Sequence, residues 1–346
     1  MYLGRNKFVK RTLIALAIAA ESTREALLAM ERHVSLVDVA ELRVDLMHEC
    51  DLREIMKSKP LPLIVTNRPT REGGRFSGEE RLRLKTLREA IELGAEYVDC
   101  EADSFPEFGK SRVTETKFIV SRHDFGKMPN LFEVLESIKV MMPDIAKVVG
   151  MAKSSLDALH ALEVLKRTNR HVISLAMGRK GLPSRVLATR YGAYLTFVSQ
   201  NSPDKGTAPG QLSASAMRET YLAHLVDAET TVLSYLLPEE VIEIKEIAEA
   251  NHFLRSNAEN AVVIPFEMHE SEVGKVFDAS DSLGINLFLV HPRSVQAVAS
   301  FLGQPLPRSM NTGLVVVRKP EDCRTYSLTD FSLLTAVQTL DSVVSY

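Results

Sequence analysis

Eight short apolar runs alternate with amphipathic segments across roughly the first 225 residues, and that alternation admits very few architectures. The runs are Thr12–Ile18, Val37–Leu46, Leu61–Thr66, Tyr97–Glu101, Lys117–Ser121, Pro143–Ala152, His171–Met177 and Ala193–Ser199. Helical spacing falls between them at Ser22–His33, Glu79–Leu93, Asn130–Met142, Ser154–Arg167 and Pro183–Tyr191, with a last helix expected over Gln211–Leu225. Strands joined through helices run parallel, because each crossover returns the chain to the same end of the sheet. Eight such units predict an α/β fold, a (β/α)8 TIM barrel, with its active site at the C-terminal ends of the strands. An open doubly wound sheet would place a glycine-rich nucleotide loop after its first strand, and Ile18 to Thr23 holds no glycine.

The first run has a competing reading. Arg5, Lys7, Lys10 and Arg11 precede Thr12 to Ala20 in the way a basic segment precedes the apolar core of a secretory signal. The strand is favoured, because the barrel is one strand short without it. No apolar run approaches the ~18 residues needed to cross a membrane. The net charge of −3 and the lack of a long basic run argue against a nucleic-acid surface. Cys50, Cys100 and Cys323 are widely spaced with no CxxC pair, which fits reduced thiols in a cytoplasmic protein and suggests no metal site.

Within the sixth run, Lys147 stands between Ala146 and Val148. A lysine in so apolar a setting either reaches water with its head or is held there for chemistry, since burial favours the neutral, nucleophilic amine. Other polar residues fall at or near strand ends. In the second run Glu41, Arg43 and Asp45 alternate with Leu42, Val44 and Leu46, so the charges share one face, as they would also on a solvated edge strand. Arg68 and Glu72 follow the third run, His123 follows the fifth, Arg185 follows the seventh, and Thr207 and Gln211 follow the eighth.

A nucleophilic lysine needs a ketone or aldehyde, and the iminium it forms acidifies the neighbouring carbon. Removing that proton needs a base, and His123 is the one histidine placed at a barrel strand end, with Glu72 available to orient its ring. Several arginines around one pocket imply an anionic substrate, most simply a carboxylate. The residues alone therefore describe a Schiff-base lyase or aldolase acting on a carboxylated ketone.

The motifs go further. ELRVD (Glu41 to Asp45), NRPTREGG (Asn67 to Gly74), SRHDF (Ser121 to Phe125), AKVVGMA (Ala146 to Ala152), the run from Met177 to Arg185, and TAPGQ (Thr207 to Gln211) occur in order. Over roughly residues 8 to 226 the chain resembles type I 3-dehydroquinate dehydratase. The resemblance implies a hydro-lyase that converts 3-dehydroquinate to 3-dehydroshikimate by syn elimination in the shikimate route, with no cofactor or metal, as a cytoplasmic homodimer. It makes Lys147 the Schiff-base lysine and His123 the residue that takes the C2 proton and donates to the departing C1 hydroxyl, with Glu72 as its carboxylate partner. Arg185 holds the substrate carboxylate, while Glu41, Arg43, Arg68, Thr207 and Gln211 contact hydroxyls or fix the pocket. Thr207 stands where many relatives have serine, and either hydroxyl donates the same bond. The loop SPDKGTAPG looks like the family's lid over the substrate.

From about Thr230 the pattern changes, dividing the chain into a barrel over residues 1–228 and a smaller α/β domain over 229–346. NAVVIPFE (Asn260 to Glu267), LGINLFLVHPRS (Leu283 to Ser294), MNTGLVVV (Met310 to Val317) and YSLTDF (Tyr326 to Phe331) resemble a degenerate substrate-binding domain of shikimate dehydrogenase. Asn311 and Asp330 match substrate-binding positions there. Arg293 stands where that family's catalytic lysine is expected, and arginine cannot exchange protons in its place. The paired serines of that family's first loop are replaced by Glu239 to Ile244, and no GxGxxG string occurs in the chain. Dehydrogenase activity is therefore not expected. A non-catalytic ligand sensor is the alternative reading, but it predicts decay of a catalytic set that is intact here. A class I aldolase would share the lysine and barrel without needing ELRVD and SRHDF together.

Overall fold

A computed structural model describes residues 11–109, 115–168, 171–200, 206–238, 241, 244–306, 311–319 and 322–340. Arg5, Lys7, Lys10, residues 201–205 of the expected lid, and most of the Glu239 to Ile244 loop lie outside them.

Eight parallel strands form the first sheet: β1 (Leu13–Ile18), β2 (Val39–Arg43), β3 (Leu63–Thr66), β4 (Tyr97–Glu101), β5 (Lys117–Asp124), β6 (Ile145–Met151), β7 (Val172–Met177) and β8 (Leu195–Ser199). Their order is β7-β6-β5-β4-β3-β2-β1-β8. The Tyr194 amide donates to the Val172 carbonyl at 2.9 Å across the remaining seam, so the barrel is nearly closed. The first apolar run is β1, paired with both β8 and β2, as the strand reading requires.

Residues two apart in a strand share a face, and here one face fills the barrel while the other meets the helices. Ala15, Ala17, Val39, Ile64, Tyr97, Ile119, Ile145, Ile173 and Leu195 pack inside. Leu16, Ile18, Leu42, Val65, Val98, Val120 and Val148 pack outside against helices such as Glu80–Glu92 and Ser155–Lys166. Side-chain caps start several helices: Ser22 accepts from the Glu25 amide, Asp51 from Glu54, and Asn130 from Phe132 and Glu133.

The helices Leu52–Ser58 and Phe105–Phe108 add to those expected, and three expected elements take a different form. The second strand ends at Arg43, and Val44–Leu46 forms a 3-10 turn because the Asp45 carboxylate turns back to accept from Arg43 and from the Arg68 and Arg75 amides. The helix expected over Pro183–Tyr191 is the short Leu182–Val186. The helix expected over Gln211–Leu225 is one π turn, Ala216–Thr220, and one 3-10 turn, Ala223–Leu225. Ser213 bridges to Ser199 and its hydroxyl accepts the Ala216 amide, while Leu222 at φ 49° lies in the left-handed region that ends a helix.

The second sheet contains β9 (Thr231–Pro238), β10 (Ala261–Met268), β11 (Leu287–Val290), β12 (Gly313–Lys319) and β13 (Asp322–Leu328), in the order β10-β9-β11-β12-β13. β10, β9 and β11 are parallel, and β12 and β13 are antiparallel. Its helix Val273–Leu283 packs on barrel helix Ser155–Lys166. Polar ties cross the same boundary: the Tyr191 hydroxyl donates to the Leu283 carbonyl at 3.0 Å, and the Glu267 amide donates to Ser155 Oγ at 2.8 Å. No helix among the described residues is long and apolar enough to cross a membrane.

Candidate active site

The inward face that carries aliphatic residues low in the barrel carries charge at its upper rim. Glu41 and Arg43 follow Val39 on β2, Asp99 and Glu101 follow Tyr97 on β4, Ser121 and His123 follow Ile119 on β5, and Lys147 follows Ile145 on β6. Strand alternation thus aims all of them at one space. A cavity opens there, lined by all nine candidate residues: Glu41, Arg43, Arg68, Glu72, His123, Lys147, Arg185, Thr207 and Gln211.

Lys147 is 4% exposed, so its ammonium-bearing end does not reach bulk water. Its Nζ lies 2.9 Å from Asp99 Oδ2, 3.7 Å from Glu41 Oε1 and 4.2 Å from the centre of the Phe197 ring. The apolar setting legible around Lys147 in sequence therefore describes only its strand neighbours, and its own end meets carboxylates. Burial by itself would raise the Asp99 carboxyl, but the Arg68 and Lys147 cations outweigh it and hold Asp99 well below the usual carboxylate range. Asp99 thus stays anionic and is a fixed counter-charge for any cation formed at Nζ.

Glu72, in the turn Thr70–Glu72 after β3, accepts from both the backbone amide and Nδ1 of His123, at 3.0 and 2.9 Å. Burial, with Arg68 and Lys147 nearby, pushes the imidazolium form of His123 well below its ordinary value. The ring is therefore neutral, and with Nδ1 committed to Glu72, Nε2 is the nitrogen left to accept a proton. Burial pushes Glu72 up to about 7 against the opposing pull of Arg68.

The arginines divide by partner. Arg43 makes a two-point contact with Asp45 at 2.9 and 2.7 Å, and Arg68 pairs with Asp99, Glu101 and Ser121. Both are already satisfied by protein groups and so shape the pocket. Arg185 is different. It is 2% exposed, Nη2 donates to the Pro209 carbonyl at 3.1 Å, and Nε has no hydrogen-bond partner. Burial lowers it to about 10, with no carboxylate among the described residues to offset that cost. A buried guanidinium left in this state suits an incoming anion. Gln211 Oε1 accepts from the Thr207 amide and hydroxyl and from the Ala208 amide, which folds the loop carrying Thr207 over the cavity.

Sequence reasoning missed Asp99, Glu101, Ser121 and Arg83. The signal existed, since YVDCE repeats the alternation used to pick Glu41 and Arg43. Arg83 had no such signal: it sits on helix Glu80–Glu92, is fully buried, and pairs with Glu101 and Glu80. In the second sheet, Arg293 is exposed on the turn Pro292–Ser294, and Asn311 and Asp330 are exposed near one another, with the Phe331 amide donating to the Asn311 carbonyl. Among the described residues no group of three or more His, Cys, Asp or Glu is placed to hold a metal ion.

A family model for type I 3-dehydroquinase matches residues 14–227. The chain is 32% identical over 216 residues to the 3-dehydroquinate dehydratase of Methanocaldococcus jannaschii, covering 60% of this chain and 97% of that one. It is 28% identical over 337 residues to the chloroplastic bifunctional 3-dehydroquinate dehydratase/shikimate dehydrogenase of Arabidopsis thaliana, covering 93% of this chain and 55% of that protein. Among solved structures, the 3-dehydroquinate dehydratase of Geobacillus kaustophilus matches with a TM-score of 0.51 and 25% identity, over 60% of this chain and 89% of that one. The dehydroquinate dehydratase and shikimate dehydrogenase of S. pombe shares the fold over 92% of this chain and 64% of its own, with a TM-score of 0.52 and 20% identity.

Proposed function

The chain belongs to the type I 3-dehydroquinase family, and we propose that its barrel dehydrates 3-dehydroquinate to 3-dehydroshikimate through an imine on Lys147. One observation carries the reading: a single cavity holds a buried lysine, a neutral histidine backed by a carboxylate, and a buried arginine with no carboxylate partner among the described residues.

The substrate carboxylate binds Arg185, which sets the ring between Lys147 and His123. The Lys147 ammonium passes one proton to the neutral His123, its amine adds to the C3 ketone, and the same proton returns to the carbinolamine hydroxyl, which leaves as water to give an iminium. Its positive charge is offset by Asp99 and Glu41, which already surround Nζ. The iminium withdraws electrons from C2, whose proton passes to His123 Nε2, and the C–H electron pair becomes the enamine. Glu72 stabilises the imidazolium through Nδ1. The same imidazolium then protonates the C1 hydroxyl, which leaves as water while the enamine pair forms the C1–C2 double bond. One histidine on one face of the ring accounts for syn elimination. Water hydrolyses the conjugated imine, releasing product and the free amine.

Borohydride reduction during turnover tests this, because it converts the imine to a stable secondary amine. Incubation with 3-dehydroquinate should leave a mass adduct on Lys147, and Lys147→Ala should carry none. Wild-type protein that stays unmodified overturns the reading.

We assign residues 1–228 to the dehydratase and 229–346 to a degenerate shikimate dehydrogenase substrate-binding domain without dehydrogenase chemistry. The exposed Arg293 and the absence of a GxGxxG string in the sequence support this, and oxidation of shikimate with NADP by this chain would refute it. A cytoplasmic location fits the widely spaced Cys50, Cys100 and Cys323, none of which belongs to a CxxC pair. The homodimer rests on the family resemblance, and sedimentation of the purified chain tests it.

A further inference from the structure

We propose that Glu267, in the second sheet, is a positioning residue for the barrel's active site: it holds the Arg179 turn on which Pro209 and the substrate-binding Arg185 are seated. The inference rests on the dehydratase reading and adds a residue from outside the barrel to it.

The contacts run in a short chain. The Pro209 carbonyl accepts from Arg185 Nη2 at 3.1 Å and from the Gly178 amide at 3.0 Å. It is the hydrogen-bond partner that orients the otherwise unsatisfied guanidinium. Gly210 lies directly on Gly178: a Cβ built at Gly210, where φ is 70°, would come within 2.3 Å of the Gly178 carbonyl carbon and oxygen. The loop carrying Thr207 therefore rests backbone on backbone, with no side chain to take up play. Any shift of residues 178 and 179 is passed directly to Pro209.

The next residue, Arg179, begins the 3-10 turn Arg179–Gly181, which leads into the helix Leu182–Val186 that bears Arg185. Its guanidinium lies 2.7 Å from Glu267 Oε2. Glu267 sits near the end of β10 with its side chain only 9% exposed, so the carboxylate is largely withdrawn from water, while the Arg179 side chain is 44% exposed and leaves the pair partly screened. A second link runs beside it: the Glu267 amide donates to Ser155 Oγ at 2.8 Å, and that hydroxyl donates to the Lys180 carbonyl at 3.4 Å. One residue of the second sheet thus grips the turn through its side chain at Arg179 and through Ser155 at Lys180. Nothing in the barrel reading alone calls for a carboxylate here, and Glu267 does not line the catalytic cavity.

Because Arg185 binds the carboxylate equally in substrate and transition state, loosening its seat should weaken binding more than it slows chemistry. In the full-length protein, Glu267→Gln and Glu267→Ala are expected to raise KM for 3-dehydroquinate by roughly 2- to 30-fold, with a smaller change in kcat and continued borohydride trapping at saturating substrate. Glu267→Asp should recover part of the loss. Arg179→Ala combined with Glu267→Ala should be no worse than the more damaging single change, as expected for two residues acting through one contact. The near-isosteric Gln variant guards against misfolding, and unfolding midpoints are measured in parallel. An unchanged KM in the Gln and Ala variants, even with a lowered midpoint, or strictly additive losses in the double variant, would overturn the proposal. A wild-type chain inert toward 3-dehydroquinate would instead refute the functional reading, before any variant is compared.

Discussion

His123 and Glu72 meet the central demand of the chemistry, a base that is neutral before it acts and stabilised once charged. Burial keeps the ring neutral, and the carboxylate at Nδ1 offsets the charge it acquires. His123→Ala should therefore still form the trapped adduct while slowing elimination by ~10²-fold or more, checked by single-turnover kinetics beside adduct mass. Glu72 titrates at about 7 in the folded protein against 4.5 in the unfolded chain. Its ionised form supports the imidazolium, so kcat/KM should fall as pH drops below about 7, and Glu72→Gln should flatten that limb at a lower plateau. Stability moves the opposite way. Between pH 4.5 and about 7 the native state holds more protons than the unfolded chain, so this group's contribution is full below 4.5 and is lost as pH rises to about 7. A pH-rate profile and a denaturation series would show the two opposed trends. That Lys147, His123, Glu72 and Arg185 share one cavity was legible residue by residue, because each is a chemically distinctive type within a barrel strand or in the segment that follows one. Asp99 was passed over, since its importance lies in facing Lys147 across 48 positions of sequence.

The strands and the loops that follow them place these groups differently. Alternation along β2, β4, β5 and β6 decides which side chains point inward, and it can be read from the sequence because its period of two is local. Loops have no such period. Asp45 left the predicted strand to accept from the Arg68 and Arg75 amides, a contact that exists only once β2 and β3 lie side by side. The segment after β8 failed as a helix for the same kind of reason, because Ser213 and Gln211 are engaged with Ser199 and with residues 207 and 208. Gly210→Ala tests how tightly that segment must lie. Its φ of 70° disfavours a side chain, and the new methyl would meet the Gly178 backbone. The variant is expected to lose roughly 1–3 kcal/mol of stability, read from denaturant midpoints, and to raise KM for 3-dehydroquinate as Thr207 and the Arg185 partner shift.

The two sheets share one continuous apolar core through the helices between them, so they are expected to unfold together. Asn251 reports on that junction. Its side-chain amide donates to the Thr220 carbonyl of the barrel and to the Val263 carbonyl of β10, and its oxygen accepts the Val263 amide at 2.6 Å. Asn251→Ala would leave buried backbone groups unpaired and should cost about 1–3 kcal/mol, with fluorescence and far-UV probes still coinciding in one transition. The order of apolar and polar residues was sufficient to specify a barrel of eight units and part of its inward set of charges, and the resemblance carried by short motifs supplied the family's chemistry, because periodicity and motifs are properties of neighbouring residues. That Asp99 lies against Lys147, that no carboxylate among the described residues pairs with Arg185, and that Glu267 of the second sheet reaches Arg179 followed only from the folded chain. Each depends on how closely strands, loops and sheets far apart in sequence come together, a distance set by packing.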